Sequence, residues 1–328
     1  MAIDIVRPRS VDEHPLKRRT YRVPTPSIKA MIALVDECLF MFIGGALIHG
    51  RPRIGKSCAI DFVITDLRAK HPALSAYKMR WMKPQVASQT SFLASLLHTI
   101  KHPAPPKATH AALRGRLIHK LRQVADTLGD DRVVLFIDEA QHLREVEYEW
   151  LRDLHDHLEG NGVRLFTFLI GQHQLLAQRS ALQAQDQEHI VARFMIEELA
   201  FRGIASEAEC AAVMGAYDSG EYPASSGWNY TRFFVPRAHA AGLHMAESAP
   251  RLWRAFEDAH FKAQLDGSPE IPMKYFTAAI EAALLTSVER DCETLSFDPA
   301  FWTTMVERSR YVMARRAGRP MLGAITGR

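Results

Sequence analysis

The chain has 328 residues, 47% hydrophobic and 24% charged, with a formal net charge of +4. That length can bury one large core or two modest ones. The four cysteines, Cys38, Cys58, Cys210 and Cys292, stand far apart without a CxxC pair, which argues against a zinc site or a disulfide framework and for a reduced cytosolic setting.

The first 26 residues are polar, basic and proline-containing and read as an N-terminal arm or an extended packing segment, with no apolar signal-peptide region. Ser27 is placed to cap a helix running to about Phe42. The uncharged run Cys38 to Gly50 is too short to span a bilayer, so the expectation is a cytoplasmic protein with no membrane partner. "GALIHG" reads as a short buried strand ending at Gly50, and "SCAIDFVITDLRAK" after Lys56 carries apolar residues at helical spacing. "ALSAYKMRW" alternates as a strand. Helical patterns occupy Gln89 to Ile100 and Thr109 to Leu128, separated by the hinge "KHPAPPK".

"RVVLFIDE", Arg132 to Glu139, is a continuous apolar run ending in two acids, as a central parallel strand would be. A mixed-charge helix is expected over Glu145 to Leu158, then the strand "VRLFTFLIG", the helix "HQLLAQRSALQAQ" and a last strand "FMIEELAF". From about Gly203 only helical patterns appear, broken at "DSGEYPASSG", "DGSPEIP" and "FDP". Strands alternating with helices, then helices alone, predict an α/β nucleotide domain with a central parallel sheet, followed by an α-helical domain. The expected boundaries are an arm at 1–26, the ATPase domain at 27–202, the lid at 203–296 and a C-terminal helix with a basic tail at 297–328.

Charge is strongly segregated. Arg68 to Arg122 holds eleven Lys or Arg and no acid, Asp126 to Glu159 holds eleven acids and three bases, and six arginines with no acid come after Glu307. A single block of this kind reads as a solvated helix face. Two long acid-free blocks point to a polyanionic partner.

Gly50 to Ser57, "GRPRIGKS", matches G-x-x-x-x-G-K-[ST]. Such a loop surrounds phosphate oxygens with backbone N–H groups and adds the dipole of the helix it opens. The candidate nucleotide-binding set is therefore Gly50, Arg51, Pro52, Arg53, Ile54, Gly55, Lys56, Ser57 and Cys58. Lys56 would reach the β/γ-phosphates of ATP and Ser57 would coordinate Mg²⁺. Asp138, at the end of a buried strand, would hold Mg²⁺ through water, and Glu139 would orient or deprotonate the attacking water. Pro52 has no N–H to donate, and solvent exposure is the default for Arg51 and Arg53. Gln172 ends the strand "FLIGQ", where a sensor of the γ-phosphate would stand. Arg193, in the "RF" step of "EHIVARFMIEEL", matches the arginine finger of AAA+ proteins of the replication-initiator type, which enters the next subunit's site. Arg251, at the start of a lid helix, is the candidate sensor arginine, with Arg254 and Arg237 as competitors.

In order, "HGRPRIGKS", "LFIDEAQHL", "FLIGQHQL" and "IVARF" resemble the TnsC/TniB family of AAA+ transposition regulators, relatives of MuB, over roughly residues 20–260. Most of that group writes Pro after the sensor glutamine, where this chain has His173. The resemblance implies an α/β P-loop AAA+ domain with a central parallel sheet followed by an α-helical lid and C-terminal helices, ATP binding, head-to-tail assembly on duplex DNA as a homo-oligomeric ring or helical filament, and coupling of a TniQ-like target-selection protein to a transposase, with nucleoid association. It implies a DNA-facing surface after the second strand, which makes Lys78, Arg80, Lys83, Lys101, Lys107, Arg114, Arg116 and Lys120 the candidates. Lys101 and Lys107 flank the proline-rich loop, which favours them as contacts, whereas part of the helical set can equally solvate its face. The tail "RSRYVMARRAGRPMLGAITGR" is a docking segment or an additional DNA contact. Two other readings remain: an ExeA-like secretion ATPase, and a nucleotide-stabilised DNA-binding scaffold without turnover.

Overall fold

A computed structural model describes residues 6–317. The described residues divide into two units, one spanning 27–201 and the other combining 6–26 with 202–317.

A single helical turn, α1 (Pro15–Arg18), precedes the first unit. That unit then runs α2 (Pro26–Phe40), β1 (Gly45–His49), α3 (Lys56–Lys70), β2 (Ser75–Arg80), α4 (Gln89–Thr99), α5 (His110–Leu128), β3 (Arg132–Asp138), α6 (Glu145–Glu159), β4 (Arg164–Gly171), α7 (Gln174–Ala184), α8 (Glu188–Phe194) and β5 (Glu197–Ala200). The five strands form one parallel sheet in the order β2-β3-β4-β1-β5. Side chains alternate between its faces. Val133, Leu135 and Ile137 of β3 join Leu47, Leu165 and Leu169 in the core under α4, α5 and α6. Val134 and Phe136 join Ala46, Ile48, Phe166, Phe168 and Ile170 in the core under α2 and α3. Helices therefore cover both faces, which is why the strands read as unbroken apolar runs.

Two boundaries differ from the sequence reading. Helix α2 begins at Pro26, not after a Ser27 cap, because proline's fixed φ suits a first helical position that needs no N–H partner. It also stops at Phe40, ahead of Phe42, which takes a left-handed φ of 57°. The last strand is shorter than "FMIEELAF": Phe194 closes α8, Met195 caps it, and pairing with β1 begins only at Glu197.

The second unit contains α9 (Glu207–Ser219), α10 (Tyr230–Phe234), α11 (Pro236–Ala240), α12 (Ala249–Lys262), α13 (Met273–Ser287), α14 (Pro299–Ser309) and α15 (Tyr311–Ala317) around its own apolar core. Asp298 accepts from the Phe301 N–H at 2.7 Å and Pro299 comes directly after it, so "FDP" is a helix start. The arm belongs to this unit. Arg7 donates to the carbonyls of Phe233 and Phe234 at 2.7 and 3.1 Å, and Leu16 is buried in the core. His14 is fully buried among the rings of Tyr222, Tyr230, Phe233 and Phe234, with centroids 4.4–4.8 Å away. The last eleven residues of the basic tail and the first five of the arm lie outside the described residues. Among the described residues no helix is long and apolar enough to cross a membrane.

Burial lowers the His14 pKa from 6.5 to about 4. The unfolded chain therefore binds the proton first. The neutral ring contributes its full stability above pH 6.5 and loses it as pH falls towards 4, a span equivalent to about 3 kcal/mol. Urea unfolding of wild type and His14→Gln over pH 4–7 should show a steeper acid loss in the wild type. Parallel pH profiles would remove His14 as a contributor to that loss.

Candidate nucleotide site

The three strands that matter for the site are neighbours ending level with one another. His49 pairs with Gly171, and Asp138 pairs with Ile170. Residues just after β1, β3 and β4 are thereby gathered at one edge of the sheet: Gly50, Glu139 and Gln172. The loop from Gly50 to Ser57 joins β1 to α3, with Lys56 as the first helical residue.

The interior "RPRI" has a structural account. Ile54 is fully buried in the core below the loop, a burial that contributes about 2 kcal/mol and pins the loop to the sheet. Arg51, Pro52 and Arg53 are exposed. Arg53 and Gly55 have φ of 66° and 106°, the alternation of left-handed residues that turns successive N–H groups into a concave anion nest. At Gly50 a Cβ would stand 2.2 Å from the Phe201 carbonyl oxygen, so only glycine fits where β1 passes the end of β5.

Lys56 Nζ donates to the carbonyls of Gly50 and Arg51, both at 2.7 Å, so the ammonium is curled over the loop that a phosphate would enter. Asp138 is 4% exposed. Its Oδ1 accepts from the Glu139 N–H at 3.0 Å, and Oδ2 has no hydrogen-bond partner among the described residues. Ser57 Oγ is likewise unengaged among the described residues and exposed at the head of α3. A hydroxyl and a free carboxylate oxygen are hard donors of the kind Mg²⁺ takes beside phosphate and water. The residues present therefore fit a Mg²⁺–triphosphate, with Ser57 and Asp138 as its holders. Such a cation would draw charge from the phosphates during transfer.

Glu139 leaves β3 in a left-handed conformation, φ 60°. The sequence motifs single out Glu139 and Gln172 but not Gln141, which touches both. Gln141 Nε2 lies 2.6 Å from Glu139 Oε2, and Gln141 Oε1 accepts from the Gln172 N–H at 3.1 Å. The string "DEAQ" contains Gln141, yet only a distance across two strand ends reveals its partners. A second group without a sequence signal joins the root of the loop to the sensor turn. His49 Nδ1 and His173 Nδ1 are 3.0 Å apart, and His49 Nε2 lies 3.0 Å from Glu198 Oε1. Glu198 also pairs with Arg179 at 2.7 Å. Burial pushes the Glu198 carboxyl up, but hydrogen bonds from His49 and Arg179 outweigh it and hold it below the usual range.

Arg193 is not near this edge. Its carbonyl oxygen and Cγ lie 3.5 and 3.9 Å from where a Cβ on Gly44 would be, just before β1 begins. The loop starts at the other end of that strand, about 20 Å away at 3.3 Å per residue. The guanidinium instead pairs with Asp156 of α6. Arg251, in the first turn of α12, donates to the Phe297 carbonyl at 3.3 Å within the second unit. Arg254 shares that helix, and Arg237 lies in the first turn of α11.

Residues 44–178 match the family model of the AAA domain. Among solved structures, the Aeropyrum pernix ORC2 protein in its ADPNP–ADP complexes is similar over 90% of this chain and 71% of its own, with TM-score 0.53 and 12% identity. The Aeropyrum pernix ORC1 protein in complex with DNA is similar over 92% of this chain and 68% of its own, with TM-score 0.50 and 13% identity. No curated protein matches the sequence.

Burial lowers the Lys56 pKa from 10.5 to about 8, although Glu139 and Asp138 oppose the shift. The ammonium that attracts phosphate is present below pH 8 and is lost as pH rises above it. Affinity for a non-hydrolysable ATP analogue should hold from pH 6.5 to 8 and then weaken by up to about tenfold per unit. In Lys56→Arg, whose charge persists, this decline should vanish. Equal declines in both proteins would show that Lys56 does not carry the charge the phosphates meet. The fold is the AAA+ P-loop fold, and residues 44–178 of it are the part that matches the AAA domain model.

Proposed function

We propose that the protein is a nucleotide-gated ATPase that binds duplex DNA without sequence preference, assembles on it head to tail, and couples a target selector to a transposase. One observation carries the DNA reading: most cations of the acid-free stretch are left without partners. The side chains of Arg80, Lys83, Lys101, Lys107, Arg114 and Arg116 make no hydrogen bond or ion pair among the described residues, and all but the half-buried Arg114 are exposed. The remaining two candidates are engaged. Lys78 donates to Asp61 and to the Ser57 carbonyl at 2.9 and 2.7 Å, which ties β2 to the head of α3. Lys120 donates to Gln123 at 3.2 Å.

Lys101 and Lys107 add a second support. Both adopt left-handed φ, 55° and 63°, which is unfavourable by roughly 1–2 kcal/mol for a residue with a Cβ. Lys101 lies just past the end of α4, a position that favours glycine. Ala104, inside the intervening loop, and Ala108, just after Lys107, pack against the core. The chain thus holds two lysines at strained positions on an anchored proline-rich loop, as a phosphate-contacting loop would. The ORC1 protein of similar fold is in complex with DNA, which agrees with this reading. The transposition assignment rests on the motif resemblance to the TnsC/TniB group.

Arg193 completes the picture of an assembly. A strand's length from its own P-loop, it can serve phosphoryl transfer only in another copy's site, with Asp156 as its partner until then. Head-to-tail contacts of that kind generate rings or helices.

If the six unpaired cations engage phosphates, DNA affinity in the presence of the ATP analogue should fall roughly 10³-fold between 50 and 200 mM salt. Lys101→Ala combined with Lys107→Ala should reduce the slope of log affinity against log salt by about two. A slope near zero would remove the nucleic-acid reading. An ATPase rate indifferent to DNA would favour a secretion ATPase, and binding without turnover would favour a scaffold.

A further inference from the structure

The carboxylate of Glu139 is held by a side chain that is itself held on every side. Gln141 Nε2 donates to Glu139 Oε2 at 2.6 Å, while Gln141 Oε1 accepts from the Gln172 backbone N–H at 3.1 Å. A backbone N–H can only donate, so the amide oxygen must face Gln172 and the NH₂ must face the carboxylate. The Gln141 backbone is fixed as well, because Gln178 Nε2 donates to the carbonyls of Gln141 and Leu143, both at 2.9 Å. Space for the amide exists only because residue 171 is glycine: a Cβ there would stand 2.3 Å from Gln141 Oε1.

We propose that Gln141 is a positioning residue for hydrolysis, anchoring one oxygen of Glu139 so that the other is presented to the attacking water. The proposal rests on the reading of Glu139 as the base. In the step concerned, the water oxygen bonds to the terminal phosphorus and the bridging bond to the leaving diphosphate breaks. The water proton passes to Glu139 Oε1. A base acts through one oxygen, and a glutamate side chain free to rotate presents that oxygen only part of the time. A charge-assisted hydrogen bond to the other oxygen removes that freedom. The amide's second contact reaches the backbone of Gln172, so the base is set in register with the end of β4. A shift of that turn would pull on Glu139 directly.

Gln141→Glu separates the two contacts. It keeps the length and an acceptor for the Gln172 N–H, but it replaces the donor to Glu139 with a second carboxylate. Gln141→Ala removes both contacts. Steady-state ATPase, binding of a non-hydrolysable ATP analogue and thermal melting are measured for both variants. We expect kcat to fall roughly 10–100-fold in each, with KM and analogue affinity changed by less than about threefold and with the melting temperature of Gln141→Glu close to wild type. Wild-type kcat in both variants would overturn the proposal. So would a rise in KM matched by weaker analogue binding at constant kcat, which is what a merely structural role would produce. Should Gln141→Glu fail to fold, Gln141→Ala decides by the same split. Glu139→Gln is assayed alongside: turnover at the wild-type rate in that variant would sink the base assignment itself, a result distinct from any behaviour of Gln141.

Discussion

Strands β1, β3 and β4 lie side by side in one parallel sheet and end at the same level. Everything chemical in the first unit depends on that register. A strand delivers its last residue to the sheet edge, and the chain must turn there. Three different turns do so: the anion nest after His49, the left-handed Glu139 after Asp138, and the Gln172–His173 turn after Gly171. A slip of one residue in any strand would reverse the faces of its side chains and scatter the site. The apolar packing on both faces, with Phe136 and Phe168 stacked 5.2 Å apart, therefore serves the site as much as it serves stability.

Much of this is legible in the sequence because it is periodic or local. The strand "RVVLFIDE" announces both its burial and the acids at its exit, and "GRPRIGKS" announces a phosphate loop by spacing alone. The features that escape are those needing a second partner distant in sequence. Gln141 becomes meaningful only when Gln172, 31 positions later, is brought beside it. The pairing of His49 with His173 spans 124 positions. Lys78 looks like any other cation in an acid-free run, and only the packing of β2 against α3 engages it with Asp61. Ile54 is hidden by its exposed neighbours: beside two arginines and a glycine nothing signals that one side chain dives into the core. The arm reads as polar and extended, and its anchoring in the second unit depends on an aromatic cage assembled from residues over two hundred positions away.

The two ends of β1 divide the work. At one end stand the loop, the Ser57 and Asp138 oxygens that would hold Mg²⁺, and the Glu139–Gln141–Gln172 chain of hydrogen bonds. At the other end stands Arg193, neutralised by Asp156. Within one copy the two cannot meet. Two copies stacked in the same orientation bring unlike ends together, and such a contact needs no symmetry to close it. In the assembly proposed above, turnover would be slow in an isolated chain, and the charge that accelerates it would arrive with a neighbour.

The most direct test of that claim is complementation between two inactive variants. Glu139→Gln retains the loop and Arg193 but lacks the base, whereas Arg193→Ala retains a complete site but offers nothing to its neighbour. Each alone should hydrolyse ATP slowly under assembling conditions. Mixed in equal amounts, about a quarter of interfaces would pair an intact site with an intact arginine if the copies associate randomly, and a clear fraction of wild-type ATPase should return. A mixture no more active than its components, or wild-type turnover by Arg193→Ala alone, would contradict the account.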